Sequence, residues 1–79
     1  MNKDYDGAAA AFRTVLKKWP DSRKAPDALL KLGYTQAAQK QYSAARATLD
    51  EVTKKYPGTD AAKLASDRLK RIPAQPAAQ

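Results

Sequence analysis

The chain repeats itself. Displaced by 37 positions, Tyr5 falls on Tyr42, Ala8 on Ala45, Val15 on Val52, Lys17-Lys18 on Lys54-Lys55 and Pro20 on Pro57. The match continues as Ala25, Ala28 and Leu32 fall on Ala62, Ala65 and Leu69. Phe12 against Leu49 and Trp19 against Tyr56 are alike in kind. Alanine is frequent and adds chance coincidences, but the Tyr, Val, Lys-Lys and Pro matches do not depend on it. A period of this length restricts the fold to stacked copies of one supersecondary unit, because a single unit cannot bury its apolar face alone.

The unit is helical. Tyr42, Ala45, Leu49, Val52 and Tyr56 advance by three, four, three and four, and Tyr5, Ala8, Phe12, Val15 and Trp19 do the same. Leu29, Leu32, Gly33 and Gln36 mark a third helix, joined to the Tyr42 to Tyr56 stretch by a polar turn near Gln39 to Gln41. Such steps keep each set on one helical face. A glycine inside a helix costs about 1 kcal/mol against alanine, so Gly33 predicts a close approach, with Ala45 as the facing small residue. The residue before a proline avoids the helical region, so helices end at Trp19-Pro20 and Tyr56-Pro57. Ser22 and Thr59 are the expected N-caps of the helices that follow, and Pro26 suits a first turn. Ala62, Ala65, Leu69 and Ile72 make the buried face of a last helix with a charged outer face, which Pro73 stops.

Leu29, Leu32, Gly33, Tyr42, Ala45, Leu49, Val52 and Pro57 resemble the tetratricopeptide repeat in register. Leu29 stands where that pattern prefers Trp, Leu49 where it prefers an aromatic, and Gln36 where it prefers Tyr. The usual period is about 34 residues, so the three additional residues fall in Asp21 to Ala28, where they are expected to lengthen the start of a helix. The expected fold is all-α: a right-handed α-solenoid of tetratricopeptide helical hairpins with about four helices. Residues 1–72 form a partial repeat domain, with a helix at 3–18, a hairpin at 23–55 and a closing helix at 60–72. Residues 73–79, PAQPAAQ, are an expected disordered tail. The first helix lacks its own hairpin partner, so the chain reads as a fragment of something longer. That helix is expected to bury Phe12, Val15 and Trp19, to leave part of Tyr5, Ala9 and Leu16 bare, and to promote self-association.

Catalytic constellations are absent from the sequence. There is no His and no Cys, which removes the usual metal ligands, the usual acid–base group, disulfides and thiol chemistry. Asp50 and Glu51 are adjacent, so they point about 100° apart on a helix. The three glycines are isolated, so there is no phosphate-cradling loop, and no serine has a base partner. The expectation is a non-enzyme without cofactor or metal. No apolar run suffices to span a membrane, and no signal peptide is recognisable. The formal charge of +7 raises a runner-up reading, a basic helical module for nucleic acid or another polyanion. Against it, Lys17-Lys18 and Lys54-Lys55 fall in last helical turns, where cations complement the helix dipole, and the basic residues form no single stripe.

The remaining candidate is a protein-binding surface. Asp27, Leu30, Lys31, Tyr34 and Ala38 share a face of the third helix that points away from Leu29, Leu32 and Gly33. In the tetratricopeptide fold the first helix of each pair lines the concave groove, so the resemblance puts Leu30 and Tyr34 in that groove, with Asp27 and Lys31 at its edge. The competing reading packs Leu30 and Tyr34 on Phe12 and Leu16 of the preceding helix. The counterpart face of the last helix carries Leu64, Asp67, Arg68 and Arg71.

APDALLKLGY, YSAARATL and KKYPGTDAAKLASDRL, with the 37-residue period, resemble the C-terminal repeat domain of the CpoB/YbgF family of Tol-Pal-associated proteins. The resemblance spans residues 3–72. It implies a periplasmic adaptor of Gram-negative cells, with an N-terminal coiled coil in the complete protein. It further implies binding to TolA through the repeats and a role in coordinating envelope constriction with peptidoglycan synthesis during division.

Overall fold

The computed structural model describes residues 4–72. They form four helices: α1 (Tyr5–Lys18), α2 (Ala25–Ala38), α3 (Tyr42–Lys55) and α4 (Asp60–Arg71). There is no strand among the described residues. The expected helix start at residue 3 and the expected tail at 73–79 lie outside them.

The sequence repeat is carried into the backbone. Helices α1 and α3 each have 14 residues and end in matching conformations. Trp19 adopts φ −134°, ψ 62° and Tyr56 φ −127°, ψ 54°. Both precede a proline, whose ring excludes the helical conformation from the residue before it. Asp50 Oδ2 lies 2.9 Å from Lys54 Nζ and raises the pKa of that ammonium, chiefly through the hydrogen bond. Pairs as exposed as this contribute little to stability.

The two interhelical loops then diverge. After Tyr56 the chain turns through Gly58 at φ 82°, a left-handed conformation that glycine adopts without steric cost. This brings Thr59 into an extended conformation, where its hydroxyl accepts the Ala62 N–H at 3.1 Å and caps α4. The position equivalent to Gly58 is Asp21, which does not take a positive φ. There the chain inserts an extra turn, with the Ala25 N–H donating to the Ser22 carbonyl at 3.1 Å. Helix α2 therefore starts only at Ala25, behind Lys24, with Pro26 in its first turn. Two expectations fail here. The additional residues lie in the loop rather than lengthening the helix, and Ser22 is not a cap, since its Oγ is buried without a partner. Thr59→Ala should thus lower stability by about 0.5–2 kcal/mol, whereas Ser22→Ala should leave the melting temperature unchanged or slightly raised. Thermal unfolding of the two variants checks the contrast, and equal losses would contradict it.

The α2–α3 turn is tight. The Gln41 N–H reaches the Gln36 carbonyl and the Lys40 N–H the Ala37 carbonyl, both at 2.9 Å. Lys40 sits at φ 63°. This is the Schellman arrangement that closes a helix through one left-handed residue.

Helix α2 touches all three other helices, and α3 packs against both α2 and α4. Ala45, Leu49 and Val52 are completely buried. Gly33 faces Leu49 and not Ala45 as expected: a Cβ built on Gly33 would lie 2.7 Å from Leu49 Cδ2 and 2.8 Å from its Cγ. Gln36, where the repeat prefers Tyr, is buried, and its Oε1 accepts a hydrogen bond from Thr48 Oγ1 at 2.5 Å. The bond satisfies two polar groups whose burial unpaired would cost about 1–3 kcal/mol each.

Helix α1 packs on α2 alone. Ala9 is buried, Phe12, Val15 and Leu16 are half-buried, and Trp19 is 56 % exposed. The expected division is thus reversed at two positions. Ala9 lies against α2, while Trp19 sits beyond the helix end with no neighbouring helix over it.

Candidate functional site

Helices α2 and α4 lie side by side and run in the same sense, leaving an open cleft along their contact. Its first half lies between the N-terminal ends, where Arg23, Pro26 and Asp27 face Asp60, Ala61 and Leu64 across about 240 Å³. Its second half lies at the C-terminal ends. There Tyr34, Ala37, Ala38 and Tyr42 face Arg68, Arg71 and Ile72 across about 450 Å³. Within this second half, the Arg68 guanidinium stacks on the Tyr34 ring with its Cζ 4.3 Å from the centroid. Asp27 and Lys31 form an exposed pair at 3.1 Å. They stand on a ridge, because a further hollow lies on their other side between α1 and α2, lined by Phe12, Val15, Ala28 and Lys31.

The candidate residues therefore separate. Tyr34, Ala38, Arg68 and Arg71 converge on the C-terminal half of the cleft. Asp27 lines the N-terminal half and Lys31 the ridge. Leu30 is a correction: it is 2 % exposed and belongs to the core. It lies in the core cluster against which Phe12 and Leu16 pack, as the competing reading had it, and it also lines the floor of the N-terminal half beside Ala61 and Leu64. The sequence reading missed Ala37, Tyr42 and Ile72. Tyr42 carried the available signal, a phenol at the start of an apolar helical face, since such a side chain keeps one end wet.

The cleft is cationic at its C-terminal half. Arg71 is held by Asp67 at 3.4 Å in an exposed pair. Arg68 has no carboxylate within salt-bridge distance among the described residues and uses its guanidinium plane on Tyr34. Two phenol rings and two guanidiniums in one open hollow suit an extended peptide carrying a carboxylate beside an apolar side chain. Among the described residues there is no group of three ligating side chains for a metal ion, and no helix is long and apolar enough to cross a membrane.

Antiparallel helix pairs stacked in a repeating register, with a cleft between first helices, define an α-solenoid of the protein-interaction class. The tetratricopeptide-repeat family profile matches residues 1–69. The chain belongs to the tetratricopeptide-repeat family, whose repeats mediate protein–protein interaction. No curated protein sequence matches the chain closely enough to count as a relative.

Proposed function

We propose that the chain is a non-catalytic adaptor that holds a segment of a partner protein in the α2–α4 cleft. The observation that carries this reading is Arg68: its guanidinium is stacked on Tyr34 at 4.3 Å, has no carboxylate within salt-bridge distance among the described residues, and lines a hollow large enough for side chains. A partner segment with an acidic residue next to an aromatic or aliphatic one satisfies both the guanidinium and the phenol rings. The sequence resemblance to CpoB/YbgF supports TolA as that partner, the periplasm as the compartment, and coordination of envelope constriction with peptidoglycan synthesis as the setting.

The test is a calorimetric titration of TolA into the chain across a salt series, beside the same titration with a DNA duplex. Adaptor binding through the cleft should persist with a shallow salt dependence, because only one or two charges take part. A polyanion-binding module would instead show log-linear loss with a slope near the number of phosphates contacted. Tight, steeply salt-dependent DNA binding with none to TolA would replace the adaptor reading by the polyanion one.

A further inference from the structure

The repeat supplies an internal standard for the outer face of α4. Displaced by 37 positions, Asp27 and Lys31 of α2 fall on Leu64 and Arg68 of α4. On α2 the two side chains satisfy each other as an exposed pair at 3.1 Å. On α4 the acid is replaced by a leucine, and Arg68 has no carboxylate within salt-bridge distance among the described residues. Leu64 is 50 % exposed. The fold itself leaves this position open, since Asp27 is exposed as well although α2 touches all three other helices. An apolar residue thus stands at an uncovered position, one turn from a cation that has lost its acid.

We propose, resting on the adaptor reading, that the N-terminal half of the cleft is a second subsite for the same bound segment. It takes an apolar side chain that lies two residues from the carboxylate on Arg68. Leu64 and Arg68 are four residues apart on one face of α4, a rise of about 6 Å. Two residues of extended chain cover about 6.6 Å and bring their side chains to the same face, whereas adjacent ones point to opposite faces. Pro26, Leu30 and Ala61 complete an apolar wall around Leu64, in a hollow of about 240 Å³. One turn of a helix about 10 Å across fills roughly 400 Å³, so the hollow suits a side chain of an extended segment and not a helix. Charge decides which subsite takes the acid. Asp27 and Asp60 outnumber Arg23 along the N-terminal half, whereas the lining of the C-terminal half carries Arg68 and Arg71 and no acid. The occupant is therefore an extended segment of a partner protein in which an apolar residue and an Asp or Glu are separated by one residue, in either order.

Display selection of random peptides on the full chain tests this, with Arg68→Ala as the counter-selection. Enriched peptides should carry Leu, Ile, Phe or Met two positions from Asp or Glu. Changing that apolar residue to Ala should weaken binding about fivefold or more. On Leu64→Ser the same change should cost little, a coupling that a double-mutant cycle reads. Leu64 is half-exposed, so Leu64→Ser should leave the circular dichroism unchanged. Acidic peptides enriched without an apolar residue at that spacing, or full additivity in the cycle, would overturn the second subsite and leave the adaptor reading standing. Enrichment at a spacing of four in helical peptides would overturn the extended segment. No enrichment over Arg68→Ala would remove the adaptor reading itself, and this inference with it.

Discussion

Leu49→Ala should lower the free energy of unfolding by about 2–5 kcal/mol, the range for a fully buried leucine that leaves a cavity. A domain of this size has a total stability of only a few kcal/mol, so the variant should be largely unfolded on modest heating. The sharper result is its coupling to Gly33. In the native background, Gly33→Ala places a Cβ at 2.7–2.8 Å from two Leu49 side-chain carbons. That overlap costs about 1–3 kcal/mol and outweighs the roughly 1 kcal/mol that alanine gains over glycine in a helix. In the Leu49→Ala background the overlap vanishes and the Cβ fills part of the void. Gly33→Ala should then stabilise by about 1 kcal/mol. The sign reversal is read directly from a double-mutant cycle. Additive effects would place Gly33 somewhere other than against Leu49.

Tyr34→Ala should weaken partner binding about tenfold or more, a loss of roughly 1.4 kcal/mol. The cost in stability should be smaller than the 3–5 kcal/mol of a fully buried aromatic. The ring is half-buried and Arg68 stacks on it. Tyr34→Phe keeps the cation–π stack, worth about 0.5–2 kcal/mol, and should retain most of the affinity. Melting and calorimetric titration with TolA on the same variant separate the two effects. A Tyr34→Ala chain of native affinity would remove Tyr34 from the binding surface.

The helices were legible because their apolar spacing and proline stops act locally. Trp19 and Tyr56 even share a backbone conformation, since each precedes a proline. What failed depended on neighbours. Leu30 shares a helical face with the exposed Asp27 and Lys31, and only the packing of the neighbouring helices decides that Leu30 is covered while they are not. Ser22 and Thr59 are equivalent hydroxyls, yet the one-residue difference between Asp21 and Gly58 decides which of them caps a helix. Trp19 and Tyr56 sit at equivalent positions, but Tyr56 donates its hydroxyl to the Pro20 carbonyl at 3.1 Å across the stack. Trp19 stays 56 % exposed. At the cleft, Tyr34, Arg68 and Arg71 were on the candidate faces, whereas their convergence with Tyr42 and Ile72 followed only from how α2 and α4 lie together.

The adaptor reading is tested most directly by nuclear magnetic resonance: TolA titrated into the isotopically labelled chain, with the backbone amide shifts followed residue by residue. The largest changes are expected at Tyr34, Ala37, Ala38, Tyr42, Arg68 and Arg71, with Asp21 and the exposed Glu51, Lys54 and Lys55 of α3 unchanged. Changes confined to Lys17, Lys18, Lys54 and Lys55, and lost as salt is raised, would contradict it.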